Sequence, residues 1–171
     1  MKNKLVFSIG IVAIIITGLF TGWMAFSGHS KTQAKCTLNV PEKIAAFSRT
    51  EFISGPEAIK QIAMMHGKEI QLDEGHIAKY QGDGKEITLW ISVSPSREEG
   101  EKLFRLMDEK IPASQVFKNR QELQISNRKV IKVDGMGQEH YYWVSGEYNY
   151  WVAVAGGDGK SIVSELMSKV E

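Results

Sequence analysis

The longest hydrophobic stretch lies near the start of the chain. From Leu5 to Phe26, 22 residues carry no charged side chain. A helix rises about 1.5 Å per residue, so this stretch could cross a hydrocarbon core about 30 Å thick. A cleavable signal has a shorter apolar region, about 7–15 residues long. The pattern therefore predicts one N-terminal transmembrane helix that acts as an uncleaved signal anchor.

Three later segments combine a helix start signal with apolar residues at helical spacing. Ser54 with Glu57, and Ser96 with Glu99, have the spacing of capping boxes. Asp158 is a candidate N-cap for the third helix. The apolar stripes are Ile59, Ile62, Ala63 and Met65; Leu103, Phe104, Met107 and Ile111; and Ile162, Val163, Leu166, Met167 and Val170. Each stripe predicts a helix with one buried face.

Between these helices, apolar and polar residues alternate with a period of two, which is typical of strands. Turn signals at residues 83–84, 127–128 and 146–147 divide the alternating segments into three hairpins. A further strand is expected over residues 47–53. The order β-α-ββ-α-ββ-ββ-α predicts an α+β fold of two layers, in which an antiparallel sheet carries about three helices on one face.

Residues 89–111 and 150–171 resemble each other. Each begins with an apolar strand whose second residue is a tryptophan, Trp90 or Trp151, and continues into a capped helix. We therefore expect an internal duplication of a hairpin-plus-helix unit.

The turn positions also predict which residues lie opposite each other across the hairpins. The expected pairs are Tyr142 with Trp151, His140 with Ala153, Ile77 with Trp90, and Lys79 with Thr88. Because side chains alternate between the two faces of a strand, the branched residues on one face would contact the helices. The face away from the helices would carry the predicted ligand-binding residues Trp90, Trp151, Tyr142 and His140.

This aromatic face has two interpretations. Uncovered, it would form a flat platform, and aromatic residues are favoured in contact surfaces because they bury a large area with few rotatable bonds. The platform would engage an envelope protein, a peptide or a glycan. Alternatively, residues 111–121 or a second copy of the protein cover the face, which would then be ordinary core.

Charge excludes one class of partner. Four of the 21 basic residues precede Cys36, whereas all 20 acidic residues follow it. The part of the chain from residue 36 onward therefore has 17 basic and 20 acidic residues, a net charge of −3. It has no basic stripe, so nucleic acid is not an expected partner.

These observations predict four segments and a location. Residues 1–4 would be a short cytoplasmic tail, 5–26 the anchor, 27–35 a polar tether and 36–171 a domain outside the cytoplasm. A short tail followed by one long domain is typical of a single-pass protein of the cell membrane. Cys36 is the only cysteine. It would be either an incidental free thiol or the site of an intermolecular disulfide.

A metal-binding or hydrolytic protein using His66, His76 and His140 is the alternative function. Methionine and histidine suit copper, but no two of these histidines have a short ligand spacing. No serine has the context of a nucleophile elbow. We therefore predict no catalytic residue, metal or cofactor, and a binding or assembly module rather than an enzyme.

Overall fold

One antiparallel sheet organises the part of the chain that the computed structural model describes, residues 38–66 and 70–170. Its strands are β1 (Lys43–Ile44), β2 (Phe47–Ser54), β3 (Glu74–Gly82), β4 (Lys85–Val93), β5 (Lys118–Ile125), β6 (Arg128–Gly135), β7 (Gln138–Ser145) and β8 (Tyr148–Ala155). The helices are α1 (Pro56–His66), α2 (Arg97–Lys110) and α3 (Gly159–Val170), and a 3₁₀ turn, Ile111–Ala113, follows α2. The predicted α+β class is confirmed.

The strand order in space is β1-β2-β3-β4-β8-β7-β6-β5, so β4 and β8 are central neighbours. The predicted order of elements along the chain is confirmed, with the two-residue strand β1 added at the start. One turn is displaced by a residue, because β5 ends at Ile125 and β6 begins at Arg128. Ser126 and Asn127 both have positive φ angles, 51° and 62°. They therefore form the turn, and Asn127 takes its second position.

The predicted register is confirmed in both hairpins. Tyr142 pairs with Trp151, and Ile77 pairs with Trp90. The contact between β4 and β8 then sets Trp90 directly opposite Trp151. One row of side chains therefore crosses the sheet on a single face, running through Ile77, Trp90, Trp151, Tyr142 and Ile131.

Helices α2 and α3 begin where the capping signals predict, whereas Ser54 is the last residue of β2 and α1 begins two residues later, at Pro56. The Ser96 hydroxyl accepts a hydrogen bond from the Glu99 backbone N–H at 3.2 Å. Asp158 Oδ1 accepts one from the Ser161 N–H at the same distance. Both bonds satisfy N–H groups that a helix start leaves without a partner.

The prediction that all helices lie on one face is wrong. Helix α3 packs on the face of Leu89 and Val152. Helix α1 packs against Ile77, and α2 against Ile131, on the opposite face. The physical reason is that both faces of the sheet are apolar, so each needs a cover. The described residues accordingly form three layers, with the sheet in the middle.

The internal similarity holds for the strands and not for the helices. Trp90 and Trp151, the matched tryptophans, lie opposite each other at the sheet centre. The helices that follow them, α2 and α3, pack on opposite faces. The two hairpin-plus-helix units are therefore not equivalent in three dimensions.

The predicted tail, transmembrane helix and tether all fall within residues 1–37, outside the described residues. Over residues 38–66 and 70–170, no helix combines the length and apolar character needed to cross a membrane.

Candidate functional site

The aromatic face lies between the sheet and helices α1 and α2. Its centre is the pair Tyr142 and Trp151, whose rings stack with centroids 4.8 Å apart and planes 5° from parallel. Phe104 of α2 packs on Tyr142 with a centroid distance of 5.8 Å. Trp90 is the next residue in the same row, on the side of α1.

His140 is held by hydrogen bonds at both ring nitrogens. Trp151 Nε1 donates to His140 Nδ1 at 3.0 Å. Because an indole N–H can only donate, Nδ1 is the unprotonated nitrogen. The other nitrogen, Nε2, then carries the proton and donates it to the Gly135 carbonyl, also at 3.0 Å. Burial lowers the pKa of His140, which favours this neutral form.

Asp108 of α2 accepts hydrogen bonds from side chains of two strands, β5 and β7. Tyr142 donates its hydroxyl proton to Asp108 Oδ1 at 2.7 Å. Arg120 of β5 donates to both carboxylate oxygens, at 2.8 and 2.7 Å. The Arg120 hydrogen bonds hold the pKa of Asp108 below its usual value. Burial, with the bond to Asp108, raises the pKa of Tyr142, so its phenol stays protonated.

The segment after α2 closes one side of this face. The Phe117 ring makes edge-to-face contacts with the rings of His140 and Trp151, at centroid distances of 5.0 and 5.3 Å. A Cβ at position 135 would lie 2.5 Å from the Phe117 ring, so any larger residue there would displace this ring. The expectation of an uncovered face is therefore wrong. Its alternative, a cover supplied by residues 111–121, is confirmed for the His140 side.

The four predicted ligand-binding residues differ in accessibility. Tyr142 is 0% exposed and His140 4% exposed, which leaves neither available to a ligand. Trp90 and Trp151 are each only partly buried. Trp90 packs with the α1 cluster and Trp151 with the α2 cluster, so the two clusters meet at this pair. We call Trp90 and Trp151 the tryptophan pair.

Apolar residues on the two covering helices are also exposed. Met65 continues the buried stripe of Ala58 and Ile62 along α1, yet it is 57% exposed. Leu106 lies one turn after Leu103 on α2 and is 49% exposed. Both helices therefore carry apolar surface that their contacts with the sheet leave uncovered.

The histidines of the alternative function do not come together. His76 lies opposite Ile91 on the α3 face, whereas His140 lies opposite Ala153 on the other face. The side chain of His66 lies outside the described part of the structure. Among the described residues, no group of three His, Cys, Asp or Glu side chains could hold a metal ion. His140 could bind a metal only by giving up one of its two hydrogen bonds.

Asp108, Arg120 and Phe117 were not predicted from the sequence, although they fix and cover the aromatic face. Asp108 lies beside Met107 in an amphipathic helix, and Arg120 lies in a polar edge strand. Neither position has a sequence pattern that distinguishes it from a solvated charge.

Comparison with known proteins finds no relative. No family model, curated protein or solved structure matches this chain.

Proposed function

We propose that the chain is a membrane-anchored binding or assembly module outside the cytoplasm. It engages an envelope protein, a peptide or a glycan through the tryptophan pair. Tyr142 and His140 contribute indirectly, because Tyr142 stacks on Trp151 and His140 accepts its indole proton. These two residues are positioning residues for the Trp151 ring.

The partial exposure of two tryptophans at the centre of the sheet supports the proposal. The stacking and the Nε1–H···Nδ1 bond fix Trp151 in one orientation. Less side-chain entropy is then lost when a partner contacts that ring. The exposed apolar surface of Met65 and Leu106 supplies further candidate contact area on the covering helices. Tryptophan is among the residues that contribute most energy at interfaces.

The membrane anchor is part of the proposal because of the uncharged stretch over residues 5–26. Attachment to the membrane would raise the local concentration of the module near a partner in the same envelope. A weak contact of modest area could then suffice.

Site-specific photo-cross-linking in intact cells tests the proposed surface. A benzophenone amino acid is introduced at position 90, at the buried position 143 or at the exposed β5 position 124. We expect a discrete adduct from position 90 and none from the other two. The mass of the adduct distinguishes a protein or peptide partner from a glycan. The proposal fails if positions 90 and 124 give the same adducts.

A paired variant checks that the tryptophans contribute to partner capture. In Trp90→Ala combined with Trp151→Ala, we expect loss of the adduct formed from a benzophenone at Leu106, with the far-ultraviolet circular dichroism unchanged. If the double variant unfolds, the tryptophans are core residues and the proposed surface is wrong.

The location is tested separately with a membrane-impermeant maleimide. Gln124→Cys, in a chain with Cys36→Ser, offers one exposed thiol on the domain. Labelling in intact cells supports a domain outside the cytoplasm. Labelling only after lysis contradicts it.

A further inference from the structure

The outer edge of β2 is open over a short window. β1 pairs with β2 only at Phe47 and Ser48, and the Arg49 N–H then donates to the Glu42 carbonyl. From Thr50 to Ser54, no strand among residues 38–66 and 70–170 lies on that outer side. The window ends where the chain leaves the sheet to enter α1 at Pro56.

The direction of the backbone groups in this window follows from one hydrogen bond. The Gly55 N–H donates to the Gly75 carbonyl. In an antiparallel ladder, residues whose backbone groups point toward the neighbouring strand alternate with residues whose groups point away. The N–H and C=O groups of Ile53 therefore point toward β3, whereas those of Phe52 and Ser54 point outward. These are the groups that another strand could pair with.

Phe52 is the exposed apolar residue of this window, with 44% of its surface accessible. Its ring stacks on His76, with centroids 6.1 Å apart and planes 4° from parallel. The Arg49 guanidinium lies 4.8 Å from the ring centroid. Contacts with both residues hold the ring in place at the edge.

The opposite edge of the sheet is built differently. β5 is polar along most of its length, and Asn119 interrupts its pairing with a positive φ angle of 54°. Charged side chains and bulges are common ways to prevent edge-to-edge pairing. The β2 window also has a bulge, at its Thr50 end, but its centre is occupied by the aromatic residue Phe52.

We propose that the β2 window is self-complementary and pairs two copies of this chain around a two-fold axis at Phe52. In this register, the two Phe52 residues exchange both N–H···O bonds, and Ser54 of each copy lies opposite Thr50 of the other. The axis also brings the two Phe52 rings side by side on the same face. The proposal is independent of the function proposed for the tryptophan pair.

The distribution of charge favours this antiparallel arrangement. Near Thr50, the cations Lys43, Arg49 and Lys79 are balanced by Glu42, Glu51 and Glu86, a net charge of 0. Near Ser54, Glu57, Asp73 and Glu74 outnumber Lys60, a net charge of −2. The two-fold axis sets the neutral end of each window against the negative end of the other, and so keeps the two negative ends apart. A parallel pairing would set like ends together.

Cysteine cross-linking of the full chain in mild detergent tests the register. In a Cys36→Ser background, Phe52→Cys would bring two thiols to opposite positions, within the reach of about 7 Å between Cα atoms that a disulfide allows. We expect at least tenfold more disulfide-linked dimer from Phe52→Cys than from Ser54→Cys. In the proposed register, the two Ser54 positions are offset by four residues, roughly 13 Å along the strand.

Equal cross-linking of the two variants, or none from Phe52→Cys, overturns the proposal. Light scattering of the chain without introduced cysteines gives a second measurement. Phe52→Lys is expected to reduce the concentration-dependent increase in mass, whereas Gln121→Lys on the opposite edge leaves it unchanged. A chain that stays monomeric at all concentrations, or a Phe52→Lys variant that associates like the parent, also overturns it.

Discussion

Two stacked aromatic pairs occupy neighbouring positions of the β7–β8 hairpin, on opposite faces of the sheet. Tyr142 stacks on Trp151 at 4.8 Å and 5°. Trp143 stacks on Tyr150 at 4.7 Å and 6°. The ring geometry is almost the same, with tyrosine and tryptophan exchanged between the strands. The surroundings differ, because Trp143 is fully buried whereas Trp151 is only partly buried.

The difference shows that a stacked aromatic pair does not by itself indicate a binding surface. Trp143 and Tyr150 lie in the apolar cluster that also contains residues of α3. In the other stacked pair, Trp151 donates a hydrogen bond to His140 and Tyr142 donates one to Asp108. The Trp151 ring is partly exposed. The partial exposure of the Trp151 ring is the feature that distinguishes this candidate surface from core.

The largest expected effect is on stability, at Trp143. Trp143→Ala should lower the free energy of unfolding by about 3–5 kcal/mol, because removing a fully buried tryptophan leaves a cavity. Trp151→Ala should cost less, about 1–3 kcal/mol, because part of the ring is already exposed. Urea unfolding of both variants measures the difference. Equal losses would mean that the two faces are equally buried.

Asp108 should show the next largest effect. Asp108→Ala leaves the Tyr142 hydroxyl and the Arg120 guanidinium without their acceptor, at a cost of about 1–3 kcal/mol. The matched control is Glu122→Ala, which removes an exposed ion pair with Lys129 and should cost about 0–1 kcal/mol. The same urea titrations compare them. If the two variants lose the same stability, the Asp108 contacts do not hold the aromatic face together.

The pH dependence of stability should report on His140. Burial lowers its pKa, so the unfolded chain binds a proton near pH 6.5 while the folded chain does not. The stabilisation is complete above about pH 6.5 and is lost as the pH falls through the folded pKa, with a slope of at most about 1.4 kcal/mol per pH unit. Urea unfolding between pH 7.5 and 5 should show this decline reduced in His140→Gln. An unchanged slope would show that another group causes it.

The smallest expected change is at Trp90. Trp90→Phe keeps an aromatic ring against the α1 cluster and should cost less than about 1.5 kcal/mol, as similar hydrophobic replacements usually do. Trp143→Phe, at a fully buried site, is the matched comparison and should cost more. A larger loss at Trp90 than at Trp143 would show that Trp90 is core.

Local sequence patterns predicted most of the fold. Ser96 and Asp158 marked helix starts because a cap acts on its own first turn. The Asp83-Gly84 turn fixed the pairing of Ile77 with Trp90, because a two-residue turn determines the register of its hairpin. The pairing of β4 with β8 was not predicted. It joins residues about 60 positions apart, and no local signal records it.

The faces of the sheet were predicted only in part, for a similar reason. Alternation identified Trp90, Trp151, Tyr142 and His140 as one face, and this grouping is correct. It could not show which helix covers that face, because a helix stripe packs equally well on any apolar surface. Phe117 closes the His140 side from a loop with no periodicity. Whether the face was open could therefore not be inferred from strand patterns.

Iodide quenching of tryptophan fluorescence tests whether Trp90 and Trp151 are accessible to solvent while Trp143, on the other face of the sheet, is not. Three variants of the full chain each retain one of Trp90, Trp143 and Trp151, with the remaining tryptophans, including Trp23, replaced by phenylalanine. Quenching of Trp90 and Trp151 with protection of Trp143 is the predicted result. Equal protection of all three would show that the tryptophan pair is core and that the proposed surface is wrong.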